Sequence, residues 1–146
     1  MQIPFLQRIQ ALAGPAINKV VPADAGPAAT AAATQLRQVL AGLPELLGAA
    51  VVAIESGQAL ATYTTSREFN LPKALGHNAD VVRQQRRALQ ALGLPAEEAL
   101  EEILITLRHQ LHLLRLLPND RFLYVAVDCR DTNLGIARAV IRSCEG

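Results

Sequence analysis

Two histidines and two cysteines are the first candidates for chemistry in this sequence. His109 and His112 lie three residues apart, and on a strand that spacing places the two side chains on opposite faces. No third ligand lies near them in the sequence, so we expect no metal site, because such sites need three or four ligands. Cys129 and Cys144 have no histidine and aspartate arranged beside them. We interpret both as small side chains that are buried or half-buried.

Sequence motifs that bind phosphate or support hydrolysis are absent. The chain contains no GxxxxGKS or GxxxxGKT loop, no GxGxxG, no HExxH and no CxxC, so it offers none of the usual phosphate cradles or metal pairs. We therefore predict that the protein is not an enzyme and holds no cofactor. An enzyme that uses Cys129 as a nucleophile is the last of three hypotheses, after the two binding functions given below.

Length and composition exclude several further classes of protein. The 146 residues include 14 basic and 13 acidic side chains, and only 3% are aromatic, whereas non-specific nucleic-acid binding requires a basic surface and stacking aromatic rings. The longest uncharged apolar stretch, residues 46–54, is far shorter than the roughly 18 residues of a membrane helix. The first residues lack the apolar core of a secretory signal. We expect one cytoplasmic domain that binds neither nucleic acid nor membrane.

The hydrophobic pattern and the turn residues predict the elements that must position any functional residue. Predicted helices cover residues 27–43, 71–92 and 133–143, the last capped by Asp131 or Thr132. Predicted strands cover residues 47–55, 58–65, 103–108, 111–117 and 122–128. Hairpins and a meander of strands imply an antiparallel sheet covered by helices, which is an α+β domain.

The predicted long helix carries two apolar stripes at helical spacing. The inner stripe consists of Leu71, Leu75, Ala79, Val82 and Leu89, interrupted by Arg86. The outer stripe consists of Ala74, Val81, Gln85, Ala88 and Leu92. One stripe is sufficient to pack a helix on its own sheet, so the second indicates a partner.

Two charge clusters of opposite sign are candidates for a partner surface. The basic cluster, Arg83, Arg86 and Arg87, has the i, i+3, i+4 spacing that places side chains on one helix face. The acidic cluster begins ten residues later and consists of Glu97, Glu98, Glu101 and Glu102. These clusters are either solvated faces with local ion pairs, which add little stability, or complementary patches that meet on a second subunit or a partner protein.

The first 27 residues differ from the rest of the chain. Glycine and proline at positions 14–15, 22 and 26–27 break any long element. A short amphipathic helix is possible before them, because Ile3, Leu6, Ile9 and Leu12 recur every third residue. We expect residues 1–27 to form an extension that is flexible or docks loosely on this domain or a partner, and residues 28–146 to form the domain.

The segments LGAAVV (47–52), SGQALA (56–61) and NLGIAR (133–138), the last following Asp128, resemble the roadblock domain family. This family includes the roadblock dynein light chains and bacterial regulators of Ras-like GTPases, and the resemblance covers roughly residues 36–141. It implies a profilin- or longin-like sandwich. The expected five-stranded antiparallel sheet has the spatial order 2-1-5-4-3, with the long helix on one face and the N- and C-terminal helices on the other.

The resemblance also implies a homodimer formed through strand 3 and the long helix, with a continuous ten-stranded sheet. Strand 3 would be a sheet edge rich in isoleucine and leucine, which aggregates unless it is paired, and the outer stripe also needs a cover. A twofold dimer satisfies both needs. The predicted interface consists of the outer stripe together with Ile103, Ile105 and Leu107.

Two binding functions follow from this resemblance. The leading hypothesis is a non-enzymatic homodimeric adaptor that binds a small Ras-like GTPase or a signalling or motor complex. The basic cluster with Glu97, Glu98 and Glu101 would then belong to the partner surface. The alternative is a structural scaffold subunit of a complex without a GTPase.

Overall fold

The computed structural model describes residues 16–66 and 70–144. Its strands are β1 (Val21–Pro22), β2 (Gly48–Ala53), β3 (Ala59–Thr64), β4 (Glu102–Thr106), β5 (Gln110–Leu117) and β6 (Arg121–Asp128). Its helices are α1 (Pro27–Gly42), α2 (Leu71–Ala91) and α3 (Leu134–Ser143), with a 3-10 turn at Ala96–Glu98. The α+β class and all eight predicted elements are therefore present.

The six strands form one antiparallel sheet in the order β1-β3-β2-β6-β5-β4. The five predicted strands are β2 to β6, and they stand in the predicted spatial order. The prediction of five strands is wrong by one, because β1 pairs with β3 through Val21 opposite Thr62 and Pro22 opposite Ala61. The sequence did not predict β1 because two residues are too few to show an alternating hydrophobic pattern. Proline donates no backbone hydrogen bond, and it is tolerated here because β1 is an edge strand.

Helices cover both faces of the sheet because the central strand β6 is apolar on both. Leu123, Val125 and Val127 point into the core that α1 and α3 close. Phe122, Tyr124 and Ala126 point into the core beneath α2. The long helix therefore lies on one face and the two shorter helices on the other, as predicted. Alternate side chains of a strand point to opposite faces, which is why one strand serves both cores.

Asparagine side chains cap two of the helices. Asn70 Oδ1 accepts a hydrogen bond from Lys73 N at 3.3 Å at the start of α2, and Asn133 Oδ1 accepts one from Ile136 N at 2.9 Å at the start of α3. The predicted caps Asp131 and Thr132 are wrong, because the backbone N–H groups of both residues donate to Asp128 O in the preceding turn. That turn places the helix N-terminus at the next residue.

The predicted extension lies only partly within the described chain. Residues 16–26 are described and include β1, whereas the apolar residues Ile3, Leu6, Ile9 and Leu12 lie outside the described residues. The boundary between extension and domain at residue 27 stays a prediction. Within residues 16–66 and 70–144, no helix has the length and apolar content needed to cross a membrane.

Candidate functional site

The histidines and cysteines are distributed over separate environments. His109 is exposed in the β4–β5 turn and His112 is half-buried on β5. In the described part of the chain, no three histidine, cysteine or acidic side chains are grouped closely enough to hold a metal ion. Both cysteines are free, and Cys144 is buried in the core that α1 and α3 close.

Cys129 is exposed, so its prediction as a buried or half-buried side chain is wrong. It follows the last residue of β6 and lies in the turn before α3, outside both cores. The neighbouring Arg130 guanidinium binds the Asp128 carboxylate at 2.9 and 2.6 Å and lowers the pKa of Asp128 to about 2. The Cys129 thiol lies 3.6 Å from the carbonyl oxygen of Arg108, and this contact supplies no base to activate a nucleophile.

The inner and outer stripes of α2 have opposite exposure. In the inner stripe, Leu71, Leu75, Ala79 and Val82 are buried against the sheet. In the outer stripe, Val81 is 42% exposed and Leu92 is 68% exposed. Gln85 and Ala88 are exposed as well, and Ala74 is half-buried. The subunit thus leaves the outer stripe uncovered along the length of its longest helix.

The edge strand β4 carries the other predicted interface residues. Among the described residues it pairs only with β5, so its second edge is free. Ile103 and Ile105 are half-buried and pack on the core beneath α2, and Leu107, just beyond the strand, is 46% exposed. Ile103 and Ile105 therefore lie on the same face of the sheet as α2.

Leu94 is a further exposed apolar residue, which the sequence did not predict. It is 46% exposed and lines a cleft of about 400 Å³ between the end of α2 and the 3-10 turn, together with Leu89 and Leu100. The signal was weak, because Leu94 lies in a loop between Gly93, with φ of +66°, and Pro95. Loop residues have no periodic pattern that could assign them to a face.

The basic cluster is divided by the structure. Arg83 donates to the carbonyl oxygens of Ile54 and Glu55 in the β2–β3 turn, the latter at 3.3 Å, and pairs with Asp80. Arg86 Nη1 lies 3.2 Å from the carboxylate of Asp120 in the β5–β6 turn. These two arginines therefore fasten α2 to the turns at one end of the sheet. Arg87 is exposed.

The acidic cluster is divided in a similar way. Glu97 and Glu98 are exposed in the 3-10 turn, and Glu101 is exposed with a carboxylate oxygen 3.8 Å from Arg115. Glu102 is largely covered, and its carboxylate binds Arg138 of α3 through contacts of 2.9 and 2.6 Å. This pair ties the edge strand β4 to the helix layer on the opposite side of the sheet from α2.

Replacing Arg83 with alanine is expected to lower the free energy of unfolding by about 1–2 kcal/mol, because charged hydrogen bonds to the Ile54 and Glu55 carbonyl oxygens are lost. Urea denaturation monitored by circular dichroism measures the change. The matched control is Arg87→Ala, which removes an exposed arginine of the same cluster and should change stability by less than about 0.5 kcal/mol. Equal losses in both variants would contradict the structural role of Arg83.

Comparisons with known proteins identify solved structures of similar fold. No protein-family model matches this sequence, and no curated protein matches it. MglB from Myxococcus xanthus has a TM-score of 0.64 at 13% identity, over 74% of this chain and 83% of that chain. The gliding protein MglB from Thermus thermophilus has a TM-score of 0.68 at 12% identity, over 85% of this chain and 90% of that chain.

Two further structures extend the comparison. A structure described as MglB with a tetrameric arrangement has a TM-score of 0.68 at 12% identity, over 85% of this chain and 89% of that chain. A Roadblock/LC7 domain from Streptomyces avermitilis has a TM-score of 0.51 at 12% identity, over 78% of this chain and 91% of that chain. At such identities the likeness is one of fold.

Proposed function

We propose that this chain, which has the fold of a roadblock-type domain, is a cytoplasmic, non-enzymatic homodimeric adaptor that binds and regulates a small Ras-like GTPase. The observation that carries the proposal is that the outer stripe of α2 is exposed, while β4, whose Ile103 and Ile105 lie on the same face of the sheet as α2, has an unpaired edge among the described residues.

The homodimer follows from the physical needs of that surface. A free strand edge that carries Ile103 and Ile105 pairs with strands of other chains unless it is covered. Burying the exposed side chains of Val81, Leu92 and Leu94 in an interface would also lower the free energy of the assembly. A twofold axis beside β4 pairs this strand with its copy and brings the two α2 helices together. The six-stranded sheet of each subunit then becomes half of a twelve-stranded sheet.

The partner surface follows from the charges that the fold leaves free. Arg83 and Arg86 are engaged with the sheet turns, so Arg87, Glu97 and Glu98 are the cluster members without such ties. Exposed charges at the rim of an interface act mainly on association rate and orientation. A non-enzymatic adaptor alters GTP hydrolysis by positioning the catalytic groups of the GTPase itself.

A binding experiment with nucleotide-loaded GTPases tests the adaptor function. The immobilised chain is incubated with each small Ras-like GTPase of the same cell, loaded with GDP or with a non-hydrolysable GTP analogue. We expect at least about tenfold tighter binding of one GTPase in one nucleotide state, because an adaptor that reads the switch loops distinguishes their two conformations. Binding that ignores the nucleotide would support a structural scaffold instead, and no binding to any GTPase would contradict the proposal.

Charge-reversal variants locate the partner surface. Arg87→Glu should weaken GTPase binding about tenfold, because it turns a rim attraction into a repulsion. The matched control is Arg37→Glu on α1, an exposed arginine on the opposite face of the sheet, which should leave binding unchanged. The same loss in both variants would indicate a general charge effect and no defined surface.

A further inference from the structure

His112 occupies a position at the margin of the proposed dimer interface. Its register partners are Ile105 on the edge strand β4 and Ala126 on the central strand β6. Directly paired residues of neighbouring strands share a face, so the imidazole lies on the same side of the sheet as α2 and the apolar residues of β4. The side chain is half-buried in the single subunit. A second copy that covers Ile105 must therefore cover His112 as well.

The neutral form of the ring satisfies both of its hydrogen bonds. Nε2 lies 2.8 Å from Gln110 Oε1, and Nδ1 lies 3.4 Å from Tyr124 Oη. An amide oxygen only accepts hydrogen bonds, so Nε2 donates to Gln110, and in the neutral ring Nδ1 accepts from the tyrosine hydroxyl. The ring also packs edge-on against Tyr124, with 5.6 Å between centroids. A second proton on Nδ1 would face the hydroxyl proton and force it to turn away.

The one carboxylate that the register of β5 and β6 places on the same face as His112 is that of Asp128, opposite Gln110, and it is bound to the Arg130 guanidinium at 2.9 and 2.6 Å. Ile103 and Ile105 of β4 are apolar, and burial raises the pKa of Tyr124 on β6 to about 12, so this phenol stays neutral. Within residues 16–66 and 70–144, no carboxylate forms an ion pair with His112. The charged or titratable side chains of α2 make no hydrogen bond to it either; they are Lys73, His77, Asp80, Arg83, Arg86 and Arg87. Burial alone lowers the pKa of His112 in the single subunit.

We propose that His112 is a pH sensor of the homodimer: the subunits associate while both imidazoles are neutral, and protonation of His112 under mildly acidic conditions separates them. The inference rests on the homodimer proposed above and adds a regulatory input to the same surface. Histidine is suited to this role because its charge changes within the physiological pH range.

The direction of the effect follows from linkage. Further burial in the dimer makes the pKa of His112 lower there than in the free subunit, because burial disfavours the charged form. Dimer affinity is therefore complete above the pKa of the free subunit and falls as the pH drops below that value. Each pKa unit of difference weakens the dimer about tenfold per imidazole, and the twofold axis supplies two imidazoles.

Sedimentation equilibrium of the full chain at about pH 7.5 and about pH 5.5 tests the proposal. We expect the dissociation constant of the wild-type dimer to be severalfold larger at the lower pH, since the pKa of His112 in the free subunit lies below its ordinary value. The His112→Gln variant, which is polar but does not titrate, should lose most of that dependence. His109→Gln, in the exposed turn of the same hairpin, should retain it.

The outcomes separate the two proposals. A wild-type chain that is monomeric at both pH values overturns the homodimer and the sensor with it. A wild-type dimer with the same dissociation constant at both pH values overturns the sensor alone, as does equal pH dependence in His112→Gln.

If His112→Gln does not fold, NMR titration of the wild-type imidazole protons decides the question. The pKa of His112 must be lower in the wild-type dimer than in the monomeric Val81→Asp variant described below, and equal values overturn the sensor.

Discussion

The Val81→Asp variant is expected to be a folded monomer at concentrations where the wild-type chain is a dimer. Val81 lies in the outer stripe of α2 and is 42% exposed in the single subunit, so a carboxylate there is solvated and leaves the subunit stable. In the dimer, the twofold axis would bury two such carboxylates without partners. Removing an unpaired charge from water costs several kcal/mol, so the dissociation constant should rise more than about a hundredfold.

Sedimentation equilibrium measures this change as a shift of the mass from twice 15.7 kDa to 15.7 kDa. The matched control is Gln84→Asp, which adds the same charge at an exposed position of the same helix outside the outer stripe. It should remain dimeric. Loss of the dimer in both variants would indicate a general charge effect, and a dimeric Val81→Asp variant would place the interface elsewhere.

Local patterns were sufficient to predict the helices, the strands β2 to β6 and the α+β class, because the residues that build them repeat at fixed spacing or are bounded by turn residues. The placement of helices on both faces of the sheet came from the resemblance to roadblock domains, and the structure explains it by β6, which is buried on both faces. The outer stripe was also identified correctly as a second apolar face of α2, since helical spacing determines which side chains lie together. The order of the strands came from the resemblance to roadblock domains, since strand spacing along the chain does not determine it.

The features that sequence reasoning missed depend on residues far apart in the chain. The spacing of Arg83 and Arg86 correctly placed them near one another on α2. Their partners, the Ile54 carbonyl oxygen and the Asp120 carboxylate, lie in two distant turns, which no helical pattern could reveal. The same applies to β1, since Val21 becomes a strand residue only through its pairing with Thr62.

The interface residues stay predictions for a related reason, because the groups that would contact them belong to a second chain. Ile103 and Ile105 illustrate this point. Their half-buried state is explained by packing beneath α2 within one subunit, and the same apolar side chains beside a free strand edge also suit a twofold contact. A substitution at Ile103 or Ile105 would disturb both the packing within the subunit and the proposed contact between subunits. Val81 is exposed in the single subunit, so its substitution tests the contact between subunits alone.

Phe122→Ala is expected to have the largest effect on stability. Phe122 lies on β6 opposite Val52 and Leu116, is fully buried, and is one of the largest side chains in the core beneath α2. Truncation leaves a cavity that the rigid sheet cannot close, so the free energy of unfolding should fall by about 3–5 kcal/mol. Urea denaturation followed by circular dichroism measures this loss. Phe122→Leu, which retains most of the volume, should lose less than about 1.5 kcal/mol.

The Phe122→Ala loss should be measured in the Val81→Asp background, where the subunits are expected to be monomeric. Dimer formation stabilises the folded subunit by mass action and would make the apparent stability depend on protein concentration. In the monomer, the inner stripe of α2 and the sheet beneath it contribute alone. We expect Phe122→Ala to lower the free energy of unfolding by about 3–5 kcal/mol in this monomer, and Val81→Asp alone to change it very little. Together these results would show that the inner face of α2 stabilises the subunit and that the outer face contacts the second copy. If Phe122→Ala lowered the free energy of unfolding by less than about 1 kcal/mol, the packing of α2 on the sheet would not depend on this side chain.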